Sequence, residues 1–148
     1  MPLEEYKKLR DFSKSPEPEG SDKKRSDNLF VVQEHDSSHL HYDLRLSLGG
    51  VLRSWAVPKE PPEKDSIKRL AIQTEDHPLE YAEFEGTIPD GIYGAGTVRI
   101  WDKGEFTIEE EKDDRLLFEL KGKRLSGRYA LIKTKFKGKG SWLFFKRK

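Results

Sequence analysis

Residues 39–48 alternate without a break: Leu40, Tyr42, Leu44, Leu46 and Leu48 are apolar, and His39, His41, Asp43, Arg45 and Ser47 between them are polar. A period of two held over ten residues describes a strand with one face in a core and the other carrying polar groups. Gly49-Gly50 then precedes the apolar run Val51–Val57, so the chain turns back on itself as a hairpin. Later segments repeat this style. Runs at 97–102 and 105–110 flank Lys103-Gly104, runs at 116–120 and 129–134 flank a turn with Gly122 and Gly127, and 142–146 reads as a last strand. Many short strands with little helix predict a mainly β fold, an antiparallel barrel or sandwich, with long loops at 58–66 and 86–96.

The 148 residues suit one domain, and Leu, Ile, Val and Phe make up 24% of them. That lies above the ~20% below which a charged chain stays disordered, so the chain folds around a lean core. Residues 13–28 hold no hydrophobic side chain, two prolines and a glycine, and follow a weak helical pattern of Leu3, Tyr6 and Leu9. The expected division is a flexible N-terminal arm with a short helix, 1–27, and one barrel domain, 28–148. So little apolar content in the arm implies that its removal leaves stability nearly unchanged. The absence of Cys excludes a disulfide framework, zinc fingers and a thiol nucleophile. No run approaches the ~18 apolar residues of a membrane span, and no signal segment opens the chain, so a cytoplasmic protein is expected.

The formal net charge of +1 conceals a split. Residues 28–120 carry 10 basic and 20 acidic side chains, and residues 121–148 carry 11 basic and none acidic. A polyanion on the basic end and a cation in the acidic middle are one reading; two complementary faces neutralising each other are another.

The polar face of 39–48 carries the chemistry. Successive residues on one strand face stand ~6.5–7 Å apart, so a metal ion fits between His41 and Asp43, with Arg45 one step along to hold an anion. His35, near the end of the preceding run 30–34, is a candidate third ligand. Two imidazoles and a carboxylate leave coordination positions open, which suits a phosphate ester whose oxygen binds the metal. The same pattern also describes a solvated polar face, and Asp36 and His39 lie as near as His35, so spacing alone does not select the ligands. His77 and Tyr81, in TEDHPLEY, read by themselves as a loop histidine and a core tyrosine. Trp55, Trp101 and Trp142 sit in predicted strands and read as core. Gly91–Gly96 lacks dinucleotide-binding spacing, and no zincin, P-loop or nucleophile-elbow motif is present.

FVVQEHDSSHLHYDLRL (30–46), LRSWAVPK (52–59) and TEDHPLEYAEFEGTIPDGIYGAGTVRIWDKG (74–104) closely resemble the 3′-phosphoesterase module of bacterial ATP-dependent DNA ligase D. RDF…SPEP at 10–18 and WLFFK at 142–146 resemble it too, so the likeness spans nearly the whole chain. Glu34 stands where Lys is common, which lowers the expected DNA affinity slightly, and Ser15 where Thr is common. The module is usually fused to ligase and polymerase domains; the resemblance here is to a stand-alone form acting beside separate repair ligases and polymerases.

The resemblance implies a β-barrel enzyme that heals DNA 3′ ends in non-homologous end joining. Its substrate is a primer-template with a 3′-ribonucleotide or 3′-phosphate end. It removes a 3′-terminal ribonucleoside and then the remaining 3′-phosphate, with Mn²⁺ as preferred metal. It places the metal ligands on His35, His41 and Asp43 and the phosphate contacts on Arg45, His77 and Tyr81. Lys59, Arg69, Gln33 and Glu75 are implied as supporting residues, and Arg10, Asp11 and Glu17 as arm residues for ribonucleoside removal. Two other classes stand beside it: a non-catalytic DNA-end adaptor, and a non-haem iron oxygenase whose facial triad the His and Asp set would mimic.

Overall fold

The computed structural model describes residues 3–19, 28–135 and 140–148; residues 20–27 of the expected arm, and Lys137 and Lys139 of the basic segment, lie outside them. A short helix α1, Glu4–Lys8, precedes β1 (Leu29–Asp36), β2 (Leu40–Leu48), β3 (Val51–Val57) and β4 (Lys68–His77). A 3₁₀ turn at Leu79–Glu83 leads into β5 (Gly86–Ile88), β6 (Gly96–Lys112), β7 (Arg115–Lys121), β8 (Ser126–Lys133) and β9 (Ser141–Lys146). All pairings are antiparallel, in the order β1-β2-β3-β4-β9-β8-β7-β6, and β6 pairs back onto β1. Eight strands therefore close into a barrel, the one of the two antiparallel architectures that the family resemblance implies, with β5 hung on the edge of β6.

Gly49 and Gly50 both take positive φ, 64° and 84°, as a tight two-residue turn requires. That turn sets the register Leu48↔Val51, and with it Asp43↔Ala56 and Arg45↔Ser54. Lys103-Gly104 is not a turn, contrary to the sequence expectation. Both residues run inside the 17-residue β6, which pairs with β1 along one edge and β7 along the other. The glycine there answers a close approach, because a Cβ on Gly104 would lie 2.2 Å from the Lys121 carbonyl oxygen. The hairpin turn falls instead at Asp113-Asp114. Two strands are missed in sequence: β5, Gly86–Ile88, at the start of the stretch read as a loop, and β4, which beyond Leu70, Ala71 and Ile72 is polar because its C-terminal half serves the site described below.

Alternate residues pack on opposite sides of the barrel wall. Phe30 and Val32 of β1 join Leu44, Trp55, Ala71, Phe106, Phe118, Tyr129 and Trp142 in one cluster, to which all eight barrel strands contribute, so this is the interior. Trp55 and Trp142 meet edge to face at 5.8 Å within it, as core tryptophans; Trp101 packs only partly, beneath Arg124. Val31 and Leu52 belong to a second cluster with Tyr6, Leu79, Tyr81 and Ala82. That cluster lies on the outer wall, roofed by α1 and the 3₁₀ turn. Tyr6 is fully buried, and its hydroxyl donates to the Pro18 carbonyl. The arm's few apolar residues are spent on one contact that closes over the barrel wall, which argues against the expectation that its removal leaves stability nearly unchanged.

A candidate active site on the outer barrel wall

Because the arm segment and the 3₁₀ turn roof the outer wall, the polar face of β2 is buried there: Asp43 is 6% and Arg45 3% exposed. Buried polar groups need partners, and here they find each other. His35 Nδ1 lies 3.6 Å and His41 Nε2 3.3 Å from Asp43 Oδ2, with the imidazole centroids 4.7 Å apart. Cross-strand pairing of His35 with His41 places both rings on one side, and one donor atom from each of the three residues lies within 4.8 Å of the others. The remaining nitrogens are anchored: His35 Nε2 donates to the Gly94 carbonyl (2.8 Å), and His41 Nδ1 to the His39 carbonyl (3.1 Å). Each imidazole thus turns its other nitrogen toward Asp43, where it can donate to the carboxylate when protonated or offer a lone pair to a metal when not, the orientation that outer carbonyls give to metal-binding histidines. The donor set fits a divalent transition metal held by two nitrogens and a carboxylate.

Burial works against the ionised form of Asp43, yet the Arg45 charge and the hydrogen bonds from His35 and His41 hold its carboxyl well below the usual range. Burial likewise opposes the charged form of His41, but its bond to Asp43 outweighs that and raises its pKa. Arg45 is locked on three sides. Its Nε donates to Gln33 Oε1 (2.6 Å) and its Nη1 to Ser54 Oγ (2.8 Å); Nη2 lies 3.5 Å from Asp43; and the guanidinium sits 4.7 Å over the Tyr81 ring. Gln33 is itself held, donating through Nε2 to the Tyr81 and Phe84 carbonyls.

His77 ends β4 between two arginines, with Nδ1 3.1 Å from Arg45 Nη1 and Nε2 3.3 Å from Arg10 Nη2. The Glu75 carbonyl, 2.9 Å from Nδ1, can only accept, so Nδ1 carries the ring proton and donates to it, leaving Nε2 to accept from Arg10. Burial, then the charges of Arg45 and Arg10, push its pKa well below the ordinary value, so the ring is neutral.

Arg10 comes from the arm. Its Nε donates to Glu17 (2.9 Å), and its Nη1 to Glu75 (2.9 Å) and to the Tyr6 carbonyl (3.1 Å). The Tyr81 hydroxyl donates to Glu17 Oε2 at 2.7 Å, and Ser15 Oγ donates to Glu17 Oε1 at 2.8 Å. Burial raises the Tyr81 pKa well above that of a free phenol.

A cavity of about 710 Å³ opens onto these groups. His35, His41, Asp43, Arg45, His77, Tyr81, Glu75, Arg10 and Glu17 all line it, and Gln33 stands directly behind Arg45. Three of the thirteen expected site residues are not brought in. Asp11 is exposed and accepts from Ser13; Lys59 is exposed; Arg69 donates to the Glu60 carbonyl, and none of the three lines the cavity. The structure adds Ser54, Tyr93 and the Gly94 carbonyl. Ser54 was legible, since a turn at Gly49-Gly50 sets it opposite Arg45; the other two depend on how the 89–95 loop folds back.

A sequence profile of the DNA Ligase D 3′-phosphoesterase domain matches residues 33–133. Over an alignment of 157 positions the chain is 50% identical to the multifunctional non-homologous end joining protein LigD of Pseudomonas aeruginosa, covering 99% of this chain and 19% of that protein. It is 53% identical over 138 residues to the LigD repair protein of Mycobacterium tuberculosis, covering 89% of this chain and 18% of the relative. With LigD of Mycolicibacterium smegmatis the identity is 46% over 159 residues, covering 99% and 20%. The chain spans about a fifth of the length of these curated relatives. With a His35, His41 and Asp43 group that could hold a metal, a locked arginine and a buried histidine on one barrel wall, and with this match, the chain belongs to the DNA ligase D 3′-phosphoesterase domain family.

Proposed function

We propose that the chain is a manganese-dependent phosphoesterase that heals DNA 3′ ends in end joining, acting in the cytoplasm together with DNA ligase and polymerase activities. In the first step water adds across the phosphodiester to a terminal ribonucleoside, which leaves with a free 5′-OH while the primer keeps a 3′-phosphate. In the second, water releases inorganic phosphate and leaves a 3′-OH. The observation that carries this reading is the convergence of His35 Nδ1 and His41 Nε2 on Asp43 Oδ2, with Arg45 directly alongside.

His35, His41 and Asp43 would hold the metal, and two imidazoles favour Mn²⁺ over the harder Mg²⁺. When bound, the ion supplies Lewis-acid polarisation of a phosphate oxygen. Arg45 meets the phosphate without reorganising, because Gln33 and Ser54 already fix its plane. Neutral His77 gains proton affinity when a phosphate brings negative charge beside it, which suits it to donate to the leaving oxygen. Tyr81 orients Arg45 and Glu17 rather than the phosphate, since its hydroxyl is already committed. Arg10 and Glu17 bring the arm, 1–27, to the reacting end of the catalytic domain, 28–148. Asp11, Lys59 and Arg69 serve from outside the cavity, as surface contacts to the nucleic acid.

The test is the purified chain with Mn²⁺ and a labelled primer ending in one ribonucleotide, with products resolved on a gel. A 3′-phosphate product followed by a 3′-OH product supports the reading. Primer binding without turnover would support the adaptor, and consumption of 2-oxoglutarate with Fe²⁺ the oxygenase.

A further inference from the structure

The phosphate cavity does not end at His77. A second cavity of about 580 Å³ adjoins it and shares Thr74, Glu75 and Tyr93 with it. Tyr93 stands where the two meet. Its side chain is 47% exposed, yet its hydroxyl donates to Glu75 Oε1 (3.3 Å) and the Arg10 guanidinium lies 5.2 Å from its ring centroid. Single exposed aromatic rings are ordinary. This one is tethered to a carboxylate that also holds Arg10, so the ring keeps its place beside the site while nearly half of it stays open. The second cavity adds Glu5 and Asp76 to its wall, and no Lys or Arg is among the described residues that line it. Such a lining accepts hydrogen bonds from hydroxyl groups and repels a phosphate.

We infer that Tyr93 is the platform on which the terminal nucleobase stacks, and that the cavity beside it receives the sugar of the departing nucleoside. The inference rests on the diesterase reading above and names the subsite for its leaving group. A terminal ribonucleoside matches both halves: it offers a flat base to the ring and free 2′- and 3′-hydroxyls to the carboxylates. An internal nucleotide carries a further phosphate into the acidic wall and is disfavoured. Tyr93 is thus a positioning residue for the terminal diester, with no partner in a lone 3′-phosphate.

The experiment compares three primers with Mn²⁺: one ending in a ribonucleotide, one in an abasic ribose, and one in a 3′-phosphate. Tyr93→Ala should lower the ratio of diester to 3′-phosphate kcat/KM about 5- to 150-fold, the range for one base–aromatic stack, chiefly through KM. Wild type should lose a similar factor on the abasic diester, and Tyr93→Ala should lower that rate no further. Tyr93→Phe and Tyr93→Trp should retain most of the ratio. Equal loss on diester and 3′-phosphate, or no change in the ratio, overturns the inference. A binding measurement separates it from the catalytic reading: in EDTA, the fluorescence of a primer ending in 2-aminopurine riboside should be quenched by wild type and not by Tyr93→Ala. A chain that turns over neither end but shows this quench refutes the catalytic reading and keeps the subsite. No quench, or one that Tyr93→Ala leaves intact, overturns the inference even in an active enzyme.

Discussion

His41 is the member of the proposed ligand triad whose role can be separated from folding. Its side chain keeps a quarter of its exposure, whereas Asp43 is the buried counter-charge of Arg45. His41→Ala should therefore abolish Mn²⁺-dependent activity with little change in the urea midpoint. Asp43→Ala should abolish activity and also cost about 3 kcal/mol, because it leaves a buried guanidinium short of a partner. Circular dichroism and urea titration beside the activity assay check both, and EDTA should remove the activity, with Mn²⁺ restoring it better than Mg²⁺. His77 carries a pH signature. Its folded pKa lies well below the ordinary ~6.5, so on acidification the unfolded chain takes up a proton before the folded one does. The stability it contributes is fully present above about pH 6.5 and is lost progressively below it. His41 shifts the other way, so the difference between wild type and His77→Gln isolates the effect. Unfolding free energies from urea titrations between pH 8 and 5 should fall more steeply for wild type than for His77→Gln, by up to about 1.4 kcal/mol per pH unit.

At the scale of elements, the arm is the part that behaves differently from its composition. Residues 3–19 hold few apolar side chains, but Tyr6 meets Phe12 at 5.8 Å, Tyr81 at 6.1 Å and the His77 ring at 5.0 Å. Tyr6→Ala should cost about 3 kcal/mol, seen as a lower urea midpoint at unchanged slope. Removing residues 1–27 should lower the melting temperature, because it uncovers Val31, Leu52, Leu79 and Tyr81 and leaves Glu75 without Arg10. A truncated chain that melts like wild type would return the arm to the status of a loose appendage. Hairpin β2–β3 was readable because alternation and a Gly-Gly turn agree on one register. β4 was not, because its final residues, Glu75 and His77, serve the cavity and break the apolar pattern that marks a strand.

For the molecule as a whole, the basic segment from Lys121 and the acidic middle meet only in part as ion pairs. Arg128 and Arg147 reach Glu109, while Lys135 stands exposed beyond the end of β8. The hydrogen bonds from Gln73 to Gly140 and from Thr134 to Ser141 bring that end of β8 and β9 beside β4, close to the site. If the segment contacts primer phosphates, binding should weaken with salt at a log–log slope of ~0.9 per contact, and Lys135→Gln should flatten it by about that amount. A salt-independent affinity measured by fluorescence anisotropy would leave the segment as a solvated surface. The sequence by itself determined the β class, the 39–57 hairpin and the polar stripe His41, Asp43, Arg45, because these follow from a period of two along one strand. The tertiary structure alone roofs and buries this stripe, gathers His35 rather than Asp36 or His39 beside His41 and Asp43, and brings His77, Arg10 and Tyr93 to the same cavity, where the resemblance had offered His35, His77 and Arg10 without their geometry. Those residues come from elements separated by tens of positions, and barrel closure, which pairs β6 with β1, is a property no local pattern encodes.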